Sequence, residues 1–187
     1  MTLKACLFGL MAAFAVNGVT AVAQPAKARE LGVVVDLSRG QVEIRVGGRL
    51  RGRYPVSVGK ASYRTPTGTY RLSKVIWNPP WTPPDDAWAK NKERKAPGQA
   101  GNPMGRVKIL FDPELYLHGT LATGALGEPA SHGCIRMSNR DATRLARLVM
   151  EYGGAHRDPA WYSKAQASAK QSFEVDIPHP PALRITE

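Results

Sequence analysis

Cys134 stands in the run Ser131-His132-Gly133-Cys134-Ile135-Arg136, a set of residue types that could make a thiol into a nucleophile. A free thiol is only about 3% ionised at pH 7 from its ordinary pKa near 8.5, so a working cysteine needs a neighbouring base or cation. Two histidines offer themselves. His132 lies two residues before Cys134, and on an extended segment that spacing puts both side chains on one side of the backbone. His118 lies further upstream, in Leu117-His118-Gly119-Thr120, at the end of its own strand. Adjacent antiparallel strands, with 120–130 as the turn, would aim it at the sulfur without distorting the nucleophile's backbone. His118 is therefore the preferred general base. Gly133 permits close approach of a substrate carbonyl, and the N–H groups of Gly133 and Cys134 could form an oxyanion hole. Arg136 points the same way as Cys134, where a guanidinium suits a substrate carboxylate or stabilises the thiolate; the alternative is an ion pair that ties the loop down.

Other chemistries fit less well. His118, His132 and Cys134 could supply three zinc ligands, but no spacing typical of a zinc site is present, and no metal or cofactor is expected. Gly59-Lys60 resembles the end of a phosphate-binding loop, yet Ala61 replaces the required Ser or Thr and Tyr54 stands where the first Gly belongs. His156 and His179 fall in a polar C-terminal third and read as solvated.

The elements that must position these residues are mostly strands. Residues 31–37 and the alternating Val42, Ile44 and Val46 flank a turn at Ser38-Arg39-Gly40, and Gly47-Gly48 marks the next turn. Tyr54, Val56 and Val58 continue the period of two, 69–77 reads as a further strand, and strand signals return at 107–111 and 115–117. Between them, 77–105 loses periodicity in Asn78-Pro79-Pro80-Trp81-Thr82-Pro83-Pro84 and a charged stretch. A loop of that length is either a lid or a proline-stiffened surface loop pinned by Trp81 and Trp88. After Cys134, Asn139 can cap a helix with Ala142, Leu145, Leu148, Val149 and Tyr152 on one stripe, ended by Gly153-Gly154. A weaker helix is expected over 159–171, then a closing strand at 173–177.

The chain has 187 residues, 43% hydrophobic and 22% charged, an ordinary balance for one globular domain. Lys4, the apolar run 5–16 and the small residues ending Ala21-Val22-Ala23 form a secretory signal pattern, too short for the roughly 20 residues that span a bilayer. The expected organisation is a signal peptide over 1–23, a linker over 24–30, a catalytic domain over 31–178 and a Pro-rich tail over 179–187; retention of the signal as an anchor is the alternative. Cleavage would remove Cys6 and leave Cys134 without a disulfide partner, in a periplasmic or wall location, with no membrane span remaining. The formal charge of +11 favours polyanionic partners. Export points away from nucleic acid and towards anionic envelope polymers.

His118-Gly119-Thr120 and Ser131-His132-Gly133-Cys134-Ile135-Arg136-Met137, with Asn139 and the helix after it, resemble the L,D-transpeptidase catalytic domain, also called the YkuD-like domain. Weaker echoes lie at Gly59-Lys60 to Gly68 and at Asn102-Pro103-Met104-Gly105, so that the resemblance spans about 31–154. It implies a mainly β sandwich or barrel-like domain, with one main helix after the nucleophile and a weaker C-terminal helix. The activity it implies is cleavage of an L-to-D peptide bond in peptidoglycan stems through a Cys134 thioester with loss of D-alanine. A second stem's amine would resolve the thioester into a 3-3 cross-link. His118 would take the thiol proton, the Gly119 carbonyl would orient it, and Ser131, His132 and Arg136 would line the donor pocket. The departure from the family pattern is the segment 155–174, which either reshapes the acceptor groove or is a surface excursion. Two alternatives stay open: a hydrolase of the same fold, acting as an L,D-carboxypeptidase or releasing a wall-attached envelope protein, and a non-catalytic wall-binding domain.

Overall fold

A computed structural model describes residues 30–187; the segment read as a signal peptide, with Cys6, lies outside the described residues. The strands are β1 (Leu31–Asp36), β2 (Gln41–Val46), β3 (Arg49–Pro55), β4 (Val58–Gly59), β5 (Gly68–Arg71), β6 (Lys74–Trp77), β7 (Val107–Leu110), β8 (Tyr116–Thr120), β9 (Pro129–Ser131), β10 (Ile135–Ser138), β11 (Phe173–Asp176) and β12 (Ala182–Thr186). Two helices, α1 (Asn139–Tyr152) and α2 (Pro159–Ala167), follow β10. One five-stranded sheet has the order β3-β2-β1-β12-β5, a second the order β10-β8-β7-β6-β11, and β4 pairs with β9. The mainly β expectation holds. Val33, Val35, Val42 and Ile44 of the first sheet, Val75, Ile109, Leu117 and Ile135 of the second, and Leu145 and Val149 of α1 share one apolar core. Alternation makes this happen in β1, β2, β7 and β10, where every second residue turns inward and the intervening ones are less buried.

Three local readings change. The single strand expected over 69–77 breaks at Leu72-Ser73, where the Leu72 N–H bonds to Pro181 O and the Ser73 N–H to Leu110 O, so the chain steps from the first sheet to the second. The helix cap is Ser138, whose Oγ accepts from the Asp141 N–H. Asn139 begins the helix, and its Oδ1 accepts from the Arg106 N–H at 2.8 Å. The largest change is at the C-terminus. The stretch read as a Pro-rich tail contains β12, which runs parallel to β1 in the middle of the first sheet, with Leu183 0% and Ile185 2% exposed. Two apolar residues straight after Pro180-Pro181 make a period too short to read, and the partners on either side, β1 in parallel and β5 antiparallel, come from distant parts of the chain.

The segment 155–174 is placed by its aromatics. Trp161 and Tyr162 of α2 pack on Trp77, whose indole N–H donates to Met150 Sδ on α1. Since Trp77 belongs to the inward set, α2 sits beside α1, on the face of the second sheet turned away from Lys108, His118 and Arg136.

Leu183→Ala is expected to cost about 2–5 kcal/mol of stability, the range for emptying a packed leucine site. Urea unfolding at neutral pH checks it; a loss under roughly 0.5 kcal/mol, the size of an ordinary surface change, would mean that the segment is a tail after all.

Candidate active site

The histidine and the cysteine are brought together by a parallel ladder, not the antiparallel hairpin expected. In it β8 and β10 pair Leu117 with Ile135 and His118 with Arg136. Cys134, one residue before Ile135, falls beside Tyr116 and on the same side of the sheet as Tyr116, His118 and Arg136. Parallel neighbours need a long connection, and residues 121–134 provide it through a 3-10 turn at Thr123–Ala125 and through β9. The nucleophile segment is held on its other flank as well. Arg136 and Ser57 exchange both backbone bonds, at 2.9 and 2.8 Å, and the Lys60 N–H donates to Ser131 O.

Side chains lock the turn before Cys134. Gly133 has φ +103, a conformation that disfavours any side chain, and a Cβ there would also press on Leu115. Buried Thr65 donates to Gly133 O at 2.8 Å and accepts from the Gly59 N–H at 2.9 Å. Ser131 Oγ accepts from the Gly133 N–H at 3.2 Å and donates to Cys134 O at 2.5 Å. Expected on the donor side, Ser131 is instead 0% exposed and ties the loop from within.

His118 is 2% exposed, and its Nδ1 lies 2.9 Å from Gly119 O. A carbonyl only accepts, so Nδ1 carries the proton and, in the neutral ring, Nε2 keeps its lone pair. Burial, reinforced by the charges of Arg136 and Lys108, lowers the His118 pKa from 6.5 to about 4. Gly119 cannot be larger: a Cβ there would overlap Asn139 Oδ1, and one at Gly105 would overlap both Asn139 and Gly119. The half-buried Cys134 is the free cysteine of the described residues. Burial pushes its thiol up, against the pull of the Tyr116 backbone N–H and of Arg136 and Lys108. At neutral pH both groups are therefore uncharged, a thiol and, on the adjacent strand, a neutral imidazole whose Nε2 is an acceptor.

Arg136 has no carboxylate partner among the described ion pairs; its Nη1 donates to Ala130 O at 3.3 Å. His132 is sandwiched, with Trp88 stacked on it at 4.0 Å and Tyr63 against its edge at 4.8 Å. The loop 77–105 thus covers the flank of the site, braced across itself by the two backbone bonds that Trp81 and Lys95 exchange at 2.9 Å and tied at its start, where Asn78 Nδ2 donates to Ala165 O at 2.7 Å. Among the described residues no group of three His, Cys, Asp or Glu side chains is placed to hold a metal ion, and no helix is long and apolar enough to cross a membrane. His156 and His179 are exposed. Lys108, Tyr116 and Thr65 were missed in the sequence as site residues, and Trp88 was read only as a residue that pins the loop. Tyr116 had a signal, two residues before His118 on one strand; Lys108 had none, because its place depends on the β7–β8 register.

Two packed sheets with a cysteine and a buried histidine on adjacent strands define a class of cysteine-centred β domain. The family described as the L,D-transpeptidase catalytic domain, YkuD, matches residues 31–166, and the chain belongs to that family. YkuD of Bacillus subtilis strain 168, named an L,D-transpeptidase, is 27% identical over 118 residues, covering 63% of this chain and 59% of the relative. ErfK/SrfK of Escherichia coli K12, also so named, is 32% identical over 99 residues, 49% of this chain and 32% of the relative. The chain thus spans between a third and three fifths of these relatives. Among solved structures, an L,D-transpeptidase from Mycobacterium tuberculosis H37Rv aligns with a TM-score of 0.53 at 21% identity, covering 84% of this chain and 57% of that one. L,D-transpeptidase 3 from the same species, in complex with a faropenem-derived adduct, aligns at 0.54 and 21%, covering 84% and 60%. These structures share the fold.

Two measurements test the electrostatics. Alkylation of Cys134 by iodoacetamide is expected to be slow at pH 7 and to climb past pH 9; a plateau below pH 7 would instead reveal a preformed thiolate–imidazolium pair. On acidification the unfolded chain takes up the His118 proton first, near 6.5, while the folded chain resists until about 4. Stability should therefore fall with pH across that window, by about 3 kcal/mol from this group. His118→Gln should flatten that part of the urea-midpoint profile.

Proposed function

We propose that this chain is a cysteine-dependent peptidoglycan L,D-transpeptidase, in which Cys134 attacks the carbonyl of the third-position diamino acid of a tetrapeptide stem. One observation carries the reading: Cys134, His118 and Arg136 share a sheet face, with His118 buried, neutral and fixed through Nδ1. As the carbon–sulfur bond forms, His118 Nε2 takes the thiol proton. The oxyanion is met by the Cys134 N–H and by the Gly133 N–H, whose 3.2 Å bond to Ser131 Oγ is long enough to exchange. His118 then gives its proton to the departing amine of D-alanine, leaving a thioester on Cys134. The side-chain amine of a second stem attacks that thioester, His118 relays the amine's proton to the sulfur, and a 3-3 cross-link results. Gly119 O keeps the imidazole in the required tautomer, while His132 and Arg136 line the donor side. No cofactor is needed. Such substrates lie outside the cytoplasm, so the reading includes export, with residues 1–23 as the signal and the periplasm or wall as destination. The charge of +11 suits that anionic polymer.

Incubation of the purified protein with tetrapeptide muropeptides, read by mass, tests this. Dimers lacking one D-alanine are expected, together with a mass adduct on Cys134, and Cys134→Ala should lower the rate at least about 10³-fold. Tripeptide and free D-alanine without dimers would make water the acceptor, and release of a wall-attached protein would make the chain an attachment hydrolase. Unchanged turnover by Cys134→Ala would refute the mechanism.

A further inference from the structure

Lys108 stands on β7 directly opposite His118, on the side away from Arg136. Across the second sheet one row reads Glu174, Ile76, Lys108, His118, Arg136, all on the face turned from α1. Two strand spacings, about 10 Å, separate the backbones of Lys108 and Arg136. The Lys108 ammonium lies 4.4 Å over the ring of Tyr116, one row nearer to Cys134.

Carboxylate compensation of these two cations is weak: Glu174 acts on Lys108 only from a distance, and the ammonium rests on the Tyr116 ring. Both cations are half-buried, burial pushes both pKa values down, and neither forms an ion pair among the described residues. Glu174, the acid of their row, is separated from Lys108 by Ile76 and turns to Lys74 at 3.5 Å, with its side chain 59% exposed. The Tyr116 phenol is held neutral by burial, and His118 is neutral at working pH. Partly desolvated cations without partners are costly, and they persist where an incoming anion completes them. Placed on either side of His118 in one row, two such cations match two anionic groups on one substrate.

We propose that Lys108 is a specificity-determining residue: with Arg136 it forms a two-point subsite for a donor carrying two carboxylates, Lys108 taking the side-chain carboxylate of the third-position diamino acid. The subsite rests on the transpeptidase reading above. It makes the protein selective for a diamino diacid with that carboxylate free, over its carboxamide or a diamino monoacid.

The test uses two tetrapeptide donors that differ only in that carboxylate, free in one and amidated in the other, and follows D-alanine release by mass. Wild type is expected to favour the free donor roughly 10–100-fold in kcat/KM, mostly through KM, the range for one charge-assisted contact. Lys108→Gln should bring the ratio within about threefold of unity by losing rate on the free donor alone, and Lys108→Arg should keep most of the preference. Thermal unfolding midpoints confirm that both variants fold. Equal use of both donors by wild type overturns the subsite while leaving the transpeptidase reading intact. Equal loss on both donors in Lys108→Gln also overturns it, by moving Lys108 to the electrostatics of the thiol. Wild type inactive on both donors overturns the transpeptidase reading and the subsite with it.

Discussion

The parallel pairing of β8 with β10 is the constraint on which the site depends. It sets His118 against Arg136 and leaves Cys134 one step beyond the ladder, on the same face and at the point where the strand begins. An antiparallel hairpin between the same residues would need only a short turn. The parallel arrangement needs a connection, and that connection supplies β9, which docks on β4 and clamps the nucleophile loop from its second side. A shift of one residue in the β8–β10 ladder would turn Cys134 into the core and Ile135 out of it. The apolar set Leu117, Ile135 and Met137 therefore holds register for the chemistry on the other face.

Glycines in the site are required by what lies against them. Asn139 occupies the space that side chains at Gly105 and Gly119 would need, while its Oδ1 satisfies the Arg106 N–H. The same residue thereby packs the turn before β7 onto the strand whose Gly119 carbonyl orients His118. An Asn at the first position of α1 contributes little to the helix itself, since Ser138 caps it. Its place is explained by the two glycines.

Legibility followed the range of the interactions. Cys134, His118 and Gly133 were readable because their chemistry is written in residues near one another along the chain, and α1 was readable from its apolar stripe. What failed were pairings between distant segments. Whether His118 and Cys134 meet parallel or antiparallel, whether 182–186 is tail or central strand, and whether Lys108 faces His118 are all set by sheet register. Alternation gives each strand a face without naming its neighbour. The segment 155–174 is a similar case. In sequence it read as either a groove-shaping insertion or a surface excursion, and only the packing of Trp161 and Tyr162 on Trp77 shows which face of the sheet it lies on.

The electrostatics of the pair would let one thiol stay inert at rest and become nucleophilic only in the proposed acyl transfer. With His118 neutral and the Cys134 thiol pushed up by burial, charge is absent at rest and must be created as the sulfur attacks. The thiolate is the form that oxidises and alkylates, so a neutral, half-buried thiol is protected from unproductive reaction. Lys108 and Arg136 raise the cost of protonating His118 and lower that of ionising Cys134, two effects that oppose one another across a proton transfer within the pair. Their net effect on a proton transfer from Cys134 to His118 is therefore small. In the proposed subsite their partners are the carboxylates of the donor, so the two cations would contribute to donor binding more than to proton transfer within the pair.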